Sequence, residues 1–124
     1  MIVSKSSKIL VVNDDMVIHD LISLIFEEED YEIKGVYNAE NLSEMVVGFT
    51  PDLILLDIHL FDADGRDLCN QLKAEVKTAH IPIILLTALN FDNLTLSCNP
   101  DDVIEKPFDM MNMVQKVNYF LKGK

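Results

Sequence analysis

Apolar positions along the chain fall into two kinds of pattern, short unbroken runs and longer stretches with helical spacing, and the two alternate. Lys8–Val12 (KILVV), Leu53–Ile58 (LILLDI) and Pro82–Leu86 (PIILL) are near-continuous apolar runs. Runs of this length read as strands buried on both faces. Asp102–Glu105 (DVIE) is a shorter run of the same kind, and Glu32–Tyr37 (EIKGVY) alternates, which suits an edge strand. Between these lie the helical stretches. Met16–Phe26 carries Val17, Ile18, Leu21, Ile22, Leu24 and Ile25 at helical spacing. Asn38 is placed to cap a helix over Ala39–Val47 with Leu42, Met45 and Val46 inward. Asp64-Gly65 opens a helix over Arg66–Val76, with Leu68, Leu72 and Val76 inward and Cys69 beside them. Asp109 caps a last helix, Met110–Leu121, with Met113, Val114, Val117, Phe120 and Leu121 inward. Asn90–Pro100 is the least regular part, and one or two helical turns are expected there before Asn99-Pro100 ends them.

Buried strands joined by helices pair in parallel through right-handed crossovers. The expected fold class is therefore α/β, a doubly wound five-stranded parallel sheet with helices on both faces and a short or irregular fourth helix. At 124 residues the chain makes one domain, 1–124, with its core over about 8–121.

Charge narrows the partners. The net charge is -11, and residues 1–62 hold 13 acids against 3 bases, so the excess is in the first half. Such a chain offers no broad field to nucleic acid or anionic lipid. No apolar stretch reaches the length of a membrane span, and Met1–Lys8 is too short and polar for a signal peptide. A cytoplasmic location follows as the expectation. Cys69 and Cys98 form neither a disulfide framework nor a CxxC pair, and free thiols are expected. The acids Glu27–Asp30 at the end of the first helix read as a solvated surface.

Each buried strand ends in a polar residue: Asn13-Asp14 after the first, Asp57 in the third, Thr87 after the fourth and Lys106 after the fifth. In an open parallel sheet these ends share one edge, where ligands bind. Taken singly, each is a turn, cap or solvated residue. Together they describe a chemistry. Paired carboxylates hold Mg²⁺, which keeps waters and binds phosphate oxygens. A lysine and a threonine serve phosphoryl oxygens, and a remaining carboxylate can be a nucleophile.

With these residues in place, the sequence resembles the receiver domains of two-component response regulators. The resemblance runs from about Lys8 to Leu121 and rests on the ILVVNDD turn, PDLILLD with Asp57, Asp64-Gly65, PIILLTA with Thr87, and Glu105-Lys106-Pro107-Phe108 in joint order. It implies the strand order 2-1-3-4-5. It implies that Asp57 accepts a phosphoryl group from the phosphohistidine of a sensor histidine kinase or a histidine phosphotransfer protein. Asp14, Asp57 and the backbone carbonyl of His59 would bind Mg²⁺, Lys106 would contact the phosphoryl group, and Thr87 would swing in to it and shift a partner-binding surface. A cis Lys106-Pro107 bond is also implied.

The chain departs from the family in places. Asn13 stands where a second acid is usual, so Asn13 would meet the metal only weakly, through water, and Mg²⁺ binding is expected to be weaker than with an acid pair. A register using Asp14 and Asp15 is the competing reading. Phe61 replaces a usual proline, which would loosen the loop or lay a ring over the pocket. Val103 takes the place of an aromatic residue that commonly rotates with the threonine. His59 is either an exposed loop residue or a modulator of water access, while His19 and His80 lie away from the site and carry no role.

Other functions compete with the phospho-acceptor switch. A degenerate receiver would act only as a protein-interaction module. A haloacid-dehalogenase-like phosphatase would want a second aspartate where His59 stands. Asp62, Asp64 and Asp67 echo a calcium loop without its bidentate glutamate. No residues remain for a DNA-binding output domain, so the chain is a stand-alone receiver or a piece of a longer one.

Overall fold

The structure, a computed structural model, describes residues 6–87 and 98–122. The five strands are β1 (Ser7–Val12), β2 (Tyr31–Val36), β3 (Leu53–Asp57), β4 (Ile83–Thr87) and β5 (Asp102–Glu105). They form one parallel sheet in the order β2-β1-β3-β4-β5. The helices among the described residues are α1 (Met16–Ile25), α2 (Leu42–Phe49), α3 (Gly65–Ala74) and α4 (Met110–Lys122). The fold class and strand order expected from the sequence are those found. Every residue of β3 and β4 is buried, which is why these strands carry no alternation, whereas β2 at the edge alternates. The expected short fourth helix falls mainly on residues 90–97, outside the described residues. Cys98–Pro100 is not helical.

The sheet separates two cores. Leu10, Val12, Ile54, Leu56, Ile83 and Leu85 face α2 and α3. Ile9, Val11, Leu53, Leu55, Ile84 and Leu86 face α1 and α4. The odd and even residues of each strand thus go to opposite cores, as strand geometry requires.

Several boundaries and inward faces differ from the sequence reading, each for a local reason. In α1 the buried stripe is His19, Ile22 and Ile25, so Val17 and Leu24, seven residues apart on the opposite side, face solvent. Helix α2 begins at Leu42, not Ala39. Asn38 accepts from the Glu40 N–H at 2.9 Å, and the Asp62 carboxylate takes the Ala39 N–H, which holds residues 38–41 in a turn. Helix α3 stops at Ala74, and Val76 is 94% exposed instead of packing inward. The Thr78 hydroxyl donates to the Leu72 carbonyl at 2.6 Å and satisfies one of the terminal acceptors. In α4, Asp109 caps as expected, accepting from the N–H groups of Met111 and Asn112, with Met113 and Val117 buried.

The β3–α3 connection is the tightest point. Gly65 donates its N–H to the Ile58 carbonyl at 2.8 Å. A Cβ there would lie 2.2 Å from the Asp57 carbonyl oxygen and 2.8 Å from Ile58 Cα. Both are backbone atoms and cannot swing aside. Gly65→Ala is therefore expected to destabilise the protein by roughly 1–3 kcal/mol or more, the range for forced overpacking. Urea unfolding measures it, and a stability equal to wild type would contradict this account.

Candidate functional site

Asp57 is the last residue of the central strand β3 and is 2% exposed. A carboxylate so buried needs donors. Its Oδ2 accepts from Lys106 Nζ and from Asn13 Nδ2, each at 2.8 Å, and its Oδ1 accepts from the His59 N–H at 3.0 Å. Lys106 follows β5 directly, and its side chain is 31% exposed, so the ammonium reaches the carboxylate from the solvent side. Its backbone N–H donates to the Thr87 carbonyl at 2.7 Å, and the Lys106-Pro107 bond is cis. Thr87, fully buried, ends β4 next to this point.

Asn13 is fully buried at the end of β1. Its Oδ1 accepts from the Asp15 N–H at 2.8 Å, and its Nδ2 donates to Asp57. The two partners fix the amide's orientation, because an N–H can only donate and a carboxylate only accept. Asn13 thus presents a donor to Asp57. Asp15 caps α1 through the Val17 N–H, so the register that places Asn13 and Asp14 at the strand end is the one adopted.

Asp14 sits exposed at the rim, with its Oδ2 accepting from the Phe61 N–H at 2.6 Å. A proline at 61 has no N–H to give. The Phe61 ring is 95% exposed and does not cover the pocket. Asp14, Ile58, His59, Leu60, Phe61, Ala63 and Asp64 line an open depression beside the carboxylate. The His59 side chain is exposed.

Two of the three acids that echoed a calcium loop have other partners. Asp62 holds the Ala39 N–H, and Asp64 caps α3 while pairing with Arg66 Nη2 at 2.6 Å. The hydrogen bond from Arg66 holds the Asp64 carboxyl below its ordinary range. Among the described residues, no three His, Cys, Asp or Glu side chains are grouped to hold a metal.

The sequence reading missed His19. It lies beside the site, not away from it. Its ring is buried, its Nε2 is 2.7 Å from the Asn13 carbonyl oxygen, and it packs on Tyr37 with ring centroids 4.3 Å apart. A carbonyl only accepts, so Nε2 carries the proton. The ring fits because residue 35 is glycine, where a Cβ would lie 2.7 Å from His19 Nδ1. The pairing of an inward histidine on α1 with Gly35 inside β2 was the signal available in the sequence.

A model of the response regulator receiver domain matches residues 9–118. The chain belongs to the response regulator receiver family. It is 33% identical over 123 residues to the DNA-binding dual master transcriptional regulator RpaA of Synechocystis, covering 93% of this chain and 49% of that protein. The chain therefore spans about half the length of this curated relative. The signal receiver domain of a signal transduction histidine kinase from Syntrophus aciditrophicus superposes with a TM-score of 0.85 at 32% identity, over 95% of this chain and 92% of that one. The receiver domain of a sensor histidine kinase from Pseudomonas aeruginosa PAO1 shares the fold, with a TM-score of 0.81 at 23% identity over 95% and 99% of the two chains. It holds a magnesium ion in its active-site cleft.

The donor role of Asn13 sets a sign that can be measured. Asn13→Asp removes the donor and sets a second carboxylate against Asp57. With no metal added, this variant is expected to be less stable than wild type at pH 7 by about 1–3 kcal/mol, the cost of an unsatisfied buried group. Urea unfolding at pH 7 measures it. A variant as stable as wild type at pH 7 would show that Asn13 does not serve as the donor.

Proposed function

We propose that the chain is a phospho-acceptor switch of a two-component phosphorelay. The observation that carries it is the buried Asp57 carboxylate at the end of the central strand, met at 2.8 Å by Lys106. An Asp57 oxygen attacks the phosphorus of a phosphohistidine, the P–N bond breaks, and the imidazole nitrogen takes up a proton. The product is an acyl phosphate on Asp57. His59 N–H and Asn13 Nδ2 orient the carboxylate for this attack. Lys106 turns from Asp57 to the incoming phosphoryl oxygens, and Thr87 moves its hydroxyl to them. The switch then favours a second arrangement of the surface near Thr87. Val103, half-buried against the α2–α3 core, stands in place of an aromatic partner for that motion.

The donor set fits a magnesium ion. Two carboxylates, Asp14 and Asp57, with the His59 carbonyl match an ion that takes one or two carboxylates and retains water. When bound, it supplies positive charge at the phosphoryl oxygens. Asn13 adds no charge to this set, and its side-chain oxygen is engaged by Asp15. Partners are a sensor histidine kinase or a histidine phosphotransfer protein. None of the described helices is long and apolar enough to cross a membrane, in keeping with a cytoplasmic site of action.

Acetyl phosphate with Mg²⁺ is expected to add one phosphoryl group to the wild type and none to Asp57→Asn, read by intact-mass spectrometry. No adduct with any donor or divalent metal would favour a module that only binds a partner. Rapid turnover of phosphate monoesters would favour a phosphatase. Mg²⁺ affinity is expected to rise in Asn13→Asp, and equal or weaker binding in a direct titration would contradict the assigned donor set.

A further inference from the structure

Cys69 and Cys98 are the only cysteines in the chain, 29 positions apart, and the fold brings them together. Cys69 lies on α3, fully buried in the α2–α3 core, and Cys98 packs against the same core from the segment that leads into β5. Burial, with the Cys98 thiol beside it, raises the Cys69 thiol to about 12.

A second contact holds the same two elements in register. Lys73, one turn beyond Cys69 on α3, pairs with Asp101 Oδ2 at 2.7 Å, three residues beyond Cys98. That carboxylate also accepts from the Ile83 N–H at 2.8 Å, and the Asp101 N–H donates to the Ile83 carbonyl at 2.8 Å. The segment carrying Cys98 is thus fastened to both α3 and β4. Both thiols are reduced in this structure.

We propose that Cys69 and Cys98 form a reversible intramolecular disulfide when the protein meets hydrogen peroxide. The pair differs in a way that orders the steps. Cys98 is the more exposed of the two residues, Cys69 being buried, so it is the one a peroxide meets first. Its sulfur attacks one peroxide oxygen, the O–O bond breaks, and Cys98 becomes a sulfenic acid with release of one water. Cys69 then attacks the Cys98 sulfur, the S–O bond breaks, and the departing hydroxide leaves as a second water with the Cys69 proton. Two thiols and one peroxide give one disulfide and two waters. Cys69 is fully buried, so peroxide does not reach it directly, and it serves as the resolving partner, giving up its proton as it attacks Cys98. The bond ties α3 to the return segment between β4, which ends at Thr87, and β5, which leads to Lys106.

This proposal does not depend on phosphoryl transfer, and its test reads none. The full chain is treated with a small excess of hydrogen peroxide and analysed by intact mass and by peptide mapping without reduction. The wild type is expected to lose the mass of two hydrogens, to fall from two titratable thiols to none, and to yield a Cys69–Cys98 cross-linked peptide. Dithiothreitol should restore both thiols. Cys98→Ser, altering a partly exposed residue, should keep its one thiol through the same treatment. A wild type that retains both thiols, that gains oxygen instead of losing hydrogen, or that cross-links only between molecules would overturn the proposal.

Discussion

The structure is arranged around the cost of burying one carboxylate. Asp57 ends a strand that has a neighbour on either side and a hydrophobic core on each face, so water reaches it only at the strand's tip. Three donors from three parts of the chain offset that cost: the β1 end, the β3–α3 loop and the residue after β5. The loop must turn back sharply enough to aim the His59 N–H at its own strand end. That turn brings residue 65 against the Asp57 carbonyl and leaves room for hydrogen only. Sheet order, glycine placement and strand-end chemistry are thus consequences of one constraint.

Much of this was legible because burial writes itself into apolar runs. LILL and IILL carry no alternation, which marks central strands, and EIKGV alternates, which marks the edge. Strand order was not legible in the runs themselves and came from the family resemblance. Of the polar residues, Asp57, Lys106 and Asn13 were found from their positions at strand ends, and they meet as direct contacts. What the pattern concealed was direction. Asn13 was read as a weak stand-in for a metal-binding acid, yet its nitrogen faces Asp57, because the orientation of an amide depends on its neighbours and not on its place in the chain. His19 was hidden for a related reason: its partner is a main-chain carbonyl, which leaves no residue-type signature. Helix ends were misplaced where a side chain elsewhere intervened, Asp62 at the start of α2 and Thr78 at the end of α3.

His19 and Asn13 make a second layer behind the carboxylate. The Asn13 N–H donates to the Val36 carbonyl at 2.9 Å, its carbonyl accepts from His19, and both ends of its amide are engaged. A side chain held at its backbone and at its tip has little rotamer freedom left to lose when the site is used. Gly35 in the edge strand β2 and Tyr37 just after it shape the space for the histidine. The orientation of Asp57 is therefore supported from the sheet edge inward through β2, α1 and β1.

The charge of the site follows from the same amide. With Asn13 neutral, the groups nearest the strand tip are Asp57, Asp14 and Lys106, one charge less negative than a site with an acid at both positions. Two effects then oppose each other. On the proposed function, a divalent cation would be held by fewer charges and bind less tightly. A phosphoryl group, itself anionic, would meet less repulsion on approach to Asp57, whose Oδ2 lies 2.8 Å from the Lys106 ammonium. Asp14 adds a further difference, since the Phe61 N–H anchors it at the rim, where a proline would have left it without that donor. The two departures from the family's usual residues thus act together. One reduces the negative charge deep in the pocket, and the other fixes the remaining rim carboxylate in place.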